Sequence, residues 1–163
     1  MAFGSAAERL AQVSATIDAV RELDSPDLRT RVLVAAGGPK ARALAAEKAD
    51  IVSIAADPLT RAKPWPRRSR TSARKAGARA GDIEFAMNLF AVGEHVPPHA
   101  KQATGAGPAQ LIAADSLVLL RGDSRAMIDE LRRRREQLGV CYILANADFM
   151  TRLAPAVEAL TGT

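Results

Sequence analysis

Residues Val32 to Ala55, VLVAAGGPKARALAAEKADIVSIA, constrain the fold more than any other stretch of the chain. A β-branched apolar run, Val32 to Ala36, meets the pair Gly37-Gly38, and Pro39 then opens a segment with apolar or alanine positions at Ala41, Leu44 and Ala45. A second apolar run, Ile51 to Ala55, follows Asp50. This pattern reads as strand, tight turn, helix, strand. Two strands joined through a crossover helix run parallel, so the stretch is predicted to be a βαβ unit.

The turn has chemical potential of its own. Gly37 and Gly38 carry no side chain to keep a ligand off the backbone, and Pro39 fits the first helical position, where its missing N–H is no loss. The remaining free N–H groups at a helix start, with the positive end of the helix dipole, can hold a phosphate or carboxylate. A Gly-Gly-Pro sequence also makes an ordinary turn, so both readings stand at this point. The spacing is neither that of a Walker loop nor that of GxGxxG.

The run AAGGPKARALAAEKADIVSIA resembles the luciferase-like monooxygenase family, above all its branch of oxidoreductases that use the deazaflavin coenzyme F-420. Members carry a Gly-Gly-Pro-type turn, an Ala/Leu-rich helix, then an Ala-Asp pair leading into a hydrophobic strand. A second block, Leu117 to Ala145, LVLLRGDSRAMIDELRRRREQLGVCYILA, is similar to the family's closing Gly turn, long helix, Gly and final strand. The two blocks occur in family order. The similarity runs from about residue 31 onward and corresponds to the later half of a family member.

Around these blocks the pattern supplies the remaining elements. Leu10, Val13, Ile17, Val20 and Leu23 recur at helical spacing and predict an N-terminal helix with one buried face. Ile83 to Val92, IEFAMNLFAV, is apolar on both faces, as a buried parallel strand is. Ala109 to Ala114 is predicted as a short helix, and Ser116 to Leu120 as a short apolar segment. Asp123 or Ser124 caps a helix carrying Met127, Ile128, Leu131 and Leu138, which Gly139 ends. Val140 to Ala145 is a further strand, and a last helix buries Phe149, Leu153, Val157 and Leu160. The expected fold is a single α/β domain over residues 1–163: an N-terminal helix and linker (1–30), then about four parallel βα units forming a partial TIM-type barrel.

Several side chains have bland readings. His95 and His99 are four apart, but Pro97 and Pro98 between them argue against a shared metal, and no metal site is expected. The basic run Arg67 to Arg79 reads as a solvated helix face or a polyanion contact. Only 4% of residues are aromatic, so the stacking platform of single-strand nucleic-acid binders is missing. Nucleic acid is therefore an unfavoured partner despite a net charge of +5. Arg132 to Arg135 are expected on a solvated, ion-paired face, Asp129 pairing with Arg133 and Glu130 with Arg134. Cys141, the single cysteine, is expected to be a buried small side chain. No apolar run is long enough to span a membrane, and the N-terminus lacks secretion-signal features, so a cytoplasmic location is the default.

A chain of 163 residues is short of the roughly 250 that an eight-stranded barrel takes. Four parallel strands curved as a half barrel leave two unpaired edges. A homodimer or another barrel-completing chain is the expected remedy; flattening of the sheet or a poorly folding remnant are the alternatives. The resemblance implies an oxidoreductase that moves a hydride between coenzyme F-420, or FMN, and a small-molecule substrate. It places coenzyme-phosphate contacts at Ala36, Gly37, Gly38 and Pro39. It assigns no catalytic acid or base, because the early strands that shape the family's substrate pocket have no counterpart here. The other reading is a non-catalytic remnant or partner subunit that associates through its strand edges.

Overall fold

In the computed structural model the described residues are 4–54, 58–59, 79, 81–93 and 97–162. The elements in chain order are α1 (Ala6–Leu23), β1 (Leu33–Ala36), α2 (Pro39–Lys48), β2 (Ile51–Ile54), β3 (Glu84–Leu89), β4 (Ala91–Val92), α3 (Pro98–Thr104), α4 (Pro108–Ala113), β5 (Leu119–Leu120), α5 (Ser124–Leu138), β6 (Val140–Ala145), a short 3-10 turn (Ala147–Phe149) and α6 (Met150–Leu160). Four strands form one sheet in the order β1-β2-β3-β6, and β4 pairs with β5 in a second, smaller one. Every pairing among the described residues is parallel, as the crossover spacing requires.

Register sorts the strand residues onto two faces. Val34, Val52, Phe85 and Val140 form one row across the sheet, and Ala35, Ser53, Ala86 and Tyr142 form the next row on the opposite face. The first row packs with Ala45, Ala49 and Leu138, so this is the helix-covered side. The alanines let α2 lie close to the sheet. A second cluster, Leu89, Val92, Leu120, Met127, Phe149 and Leu153, joins β3 to the helices after β5 and β6. In a closed parallel barrel the other face would line the interior. It carries small residues in its middle and Asn88 and Leu144 toward the strand C-termini.

The predicted strand 83–92 bends at Phe90 and becomes two. Beyond Leu89, which pairs with the last residue of β6, the chain needs a new partner, and Leu119-Leu120 provides it. The Gly93 N–H donates to the Leu120 carbonyl at 2.7 Å and closes this second pair. The Gly/Ala-rich run before Pro108 contains a helix of its own, α3, started by Pro98 with Pro97 as its cap.

Three burial expectations are corrected. In α1 only Ile17 is sealed, while Val13 is 41% and Leu23 86% exposed, because the main packing partner of α1 among the described elements is the single helix α2. Cys141 is exposed, since the β3–β6 register shifts between Phe85 and Ala86 and leaves it the extra residue, its Sγ 3.8 Å from the Phe85 carbonyl. Val157 is likewise exposed, with Phe149, Leu153 and Ala156 filling the core instead.

The arginine run is also corrected at one position. Arg134 is buried, and its guanidinium donates to the Leu117 carbonyl at 2.8 Å, the Leu119 carbonyl at 2.9 Å and the Glu130 carboxylate at 2.7 Å. Arg133 bonds Glu130 rather than Asp129, in bidentate fashion at 2.6 and 2.8 Å. The basic segment 67–78 lies outside the described residues. Arg79, which follows it and is described, donates to the carbonyls of Ala46, Glu47 and Ala49, and so caps the end of α2.

At the N-terminal end of the strands Asp50 ties the sheet together. It accepts from the Val32 N–H and from Arg29, both at 2.9 Å, and from Arg21. Partial burial opposes its charge, but the hydrogen bonds from Val32, Arg29 and Arg21 outweigh it and bring the carboxyl down to about 2. A carboxyl depressed on folding stabilises the native state above its ordinary pKa near 4 and loses that contribution as pH falls toward the folded value. Urea unfolding between pH 5 and 2 should therefore show a steeper acid decline for the wild type than for Asp50→Asn. Parallel curves would contradict the assignment.

Candidate anion site at the strand C-termini

The Gly37-Gly38-Pro39 turn sits where β1 ends and α2 begins, at the C-terminal edge of the sheet. Gly38 is the helix cap in extended conformation (φ −95°, ψ 166°), with no side chain capping the helix and Pro39 next. The first intrahelical bond runs from Arg42 N–H to the Gly38 carbonyl at 3.0 Å, so the Lys40 and Ala41 N–H groups have no acceptor within the helix. Any residue adopts this φ, and a Cβ at Gly38 would meet nothing within 4 Å. Neither backbone nor packing asks for glycine here. The open space over the bare cap is what the residue preserves.

The four residues expected to touch the coenzyme phosphate are not equivalent. Gly37, Gly38 and Pro39 are exposed, whereas Ala36 is only 1% exposed and belongs to the core. His95 lies outside the described residues, as does the side chain of His99, which the fold places in α3.

Asn88 is a candidate that the sequence reading passed over. It lies near the C-terminal end of β3, on the face opposite the helices, two strands from β1 and thus about 10 Å across the sheet. It is half-buried, and no described residue hydrogen-bonds its amide. The available signal was a single uncharged polar residue, Asn88, inside IEFAMNLFAV. Because no bond holds it, Asn88→Leu should keep or raise the melting temperature; a clear drop would show a structural role instead.

Charge is distributed unevenly between the two ends of the sheet. At the N-terminal end Arg21 and Arg29 pair with Asp50 and Arg31 with Glu84, and a cavity of about 450 Å³ there is lined by Arg29, Arg31, Asp50, Arg79 and Asp82. That end of a parallel barrel serves stability. At the C-terminal end Lys40, Arg121, Arg125 and Arg152 have no ion pair with a described carboxylate. Arg152 in the first turn of α6 lies so close to Gly93 (φ +74°) that a Cβ there would fall 2.7 Å from its Cζ. Bare helix start, unneutralised cations and a free amide together make this end receptive to an anionic ligand.

Parallel strands, crossover helices and an open helix start at the strand C-termini define a partial α/β barrel. A family profile described as luciferase-like monooxygenase matches residues 6–140, and the chain belongs to that family. Among solved structures it is similar to an F-420-dependent secondary alcohol dehydrogenase in complex with an F-420–acetone adduct, with a TM-score of 0.63 at 16% identity. The match covers 98% of this chain and 64% of that enzyme, so the chain spans less than two thirds of its relative's length. No curated protein matches it in sequence. No helix among the described residues is long and apolar enough to cross a membrane.

Proposed function

We propose that the chain is an oxidoreductase subunit that binds the phosphate of coenzyme F-420, or of FMN, at the Gly37-Gly38-Pro39 turn. The observation that carries this reading is the bare, extended cap at Gly38, open to solvent at the C-terminal end of a parallel strand. Membership of the luciferase-like family supports it, as does likeness to an F-420-dependent dehydrogenase. When bound, the coenzyme supplies the hydride acceptor or donor. The Lys40 and Ala41 N–H groups hold its phosphate, and Asn88 offers an amide to the ring or to a small-molecule substrate lying across the top of β2. Four strands form an incomplete wall, so activity requires further strands to exclude water from the reacting atoms.

Titration of the purified protein with each coenzyme, followed by fluorescence, tests this. A saturable signal at tens of micromolar or below is expected; none with either coenzyme would overturn the proposal. A second reading, a non-catalytic partner subunit, is favoured by the apolar side chains at the sheet edges, Leu33 and Tyr142. Coenzyme binding without hydride transfer from any alcohol or to any aldehyde, in the assembled protein, would select it.

A further inference from the structure

Among the described residues, and Leu59 and Val13 aside, the exposed large apolar side chains gather beside the two edge strands. Leu23 (86%), Leu28 (61%) and Leu33 (40%) lie in or before β1; Tyr142 (43%), Met150 (72%) and Val157 (58%) lie in or after β6. The second group lines a groove of about 720 Å³ along β6, together with Leu131, Arg132 and Arg135. Among the described residues β6 pairs on one side only, with β3, and β1 on one side only, with β2. Unpaired strand edges flanked by apolar side chains are sites of further strand pairing.

We infer that β6 of one copy pairs in parallel with β1 of a second copy, and that the reciprocal pairing closes an eight-stranded barrel about a two-fold axis. Strand direction permits this. All four strands of the sheet are parallel, so a two-fold along their common direction lays β6 beside the second β1 with the same polarity. Four strands from each copy give eight, the number that closes a barrel whose interior side chains can fill. Each closed interface joins one edge of each kind, so no edge remains to build a filament.

Charges of opposite sign are also available on the two edges, beside the Arg29 and Arg31 that Asp50 and Glu84 already pair. Glu22 and Asp27, both exposed, flank Leu23 and Leu28 ahead of β1, at the N-terminal end of the strands. Arg132 and Arg135 flank the β6 groove in the half of α5 that leads back to that same end.

This inference supplies the partner for the completed barrel that the proposed function calls for, yet it needs no coenzyme. Light scattering on the coenzyme-free protein should give about twice the 17.3 kDa chain mass. Tyr142→Asp, at an exposed position, should weaken the dimer at least tenfold with an unchanged far-ultraviolet dichroism spectrum. The resident Cys141 provides a milder readout that does not depend on that variant. Oxidation of Leu33→Cys or Ala35→Cys should yield an interchain disulfide to Cys141, lost in the Cys141→Ser background. A cooperative monomer, or Cys141–Cys141 cross-linking of the wild type across two β6 edges, would overturn it. Absence of coenzyme binding by an intact dimer would overturn only the proposed function.

Discussion

Arg134→Ala should lower the unfolding free energy by about 3 kcal/mol or more, the range for emptying a buried, charged, multiply bonded position. Arg134 is 2% exposed, and its three donors reach two main-chain carbonyls and one carboxylate. Burial pulls its pKa down while Glu130 pulls it up, and an arginine starts so high that it stays charged. Glu130 in turn is held below the ordinary glutamate range: its burial works the other way, but Arg133 and Arg134 prevail. Removing the guanidinium leaves the Leu117 and Leu119 carbonyls facing a cavity without donors. Arg134→Met refills much of the volume but not the hydrogen bonds, and Arg134→Lys cannot span both carbonyls with one ammonium. Both should fall between alanine and wild type in urea unfolding. A loss under about 1 kcal/mol for alanine would mean that water replaces the guanidinium.

The consequence reaches the C-terminal end of the sheet. Leu119 begins β5, and β5 pairs with β4 directly above β3. Arg134 thus fixes the small second sheet, and with it the Gly93 backbone that faces Arg152.

Gly38→Asp should separate stability from binding. The position has an ordinary φ and open space, and aspartate is a favoured helix cap, so stability should rise by a few tenths of a kcal/mol. The new carboxylate would accept the N–H groups assigned to the phosphate and repel it. Charge-assisted hydrogen bonds are each worth about 1.5–3 kcal/mol, so coenzyme affinity should drop tenfold or more. Gly38→Ala, which adds a methyl but no charge, should lose less. Equal affinity of Gly38→Asp and wild type would remove the turn from the coenzyme site.

The βαβ unit was legible in the sequence because its signals are local: a β-branched run, a Gly-Gly-Pro break, alanines at helical spacing, then a second apolar run. Parallel pairing followed from connection length alone. The long helix showed equally well, Asp123 capping it by accepting from the Ala126 N–H at 2.9 Å and Gly139 ending it at φ +68°. What sequence did not disclose depends on partners distant in the chain. Arg134 reads as one of four adjacent surface arginines until the 117–119 carbonyls are folded beneath it. Cys141 sits in an apolar run, yet an edge position and a register shift turn it outward. Strand 83–92 divides only because β6 ends opposite Leu89. Of the candidate site, the turn could be read from residue type, while Asn88 needed the register to show which face it occupies.

The central claim is that bare backbone at the end of β1 holds a phosphate. Its most direct test compares, by fluorescence titration of the same protein, FMN with riboflavin and coenzyme F-420 with its deazaflavin ring lacking the phosphate. The account predicts that for at least one pair the phosphate-bearing form binds ten times more tightly or better, and that the difference vanishes in Gly38→Asp. Equal affinity within both pairs would contradict it.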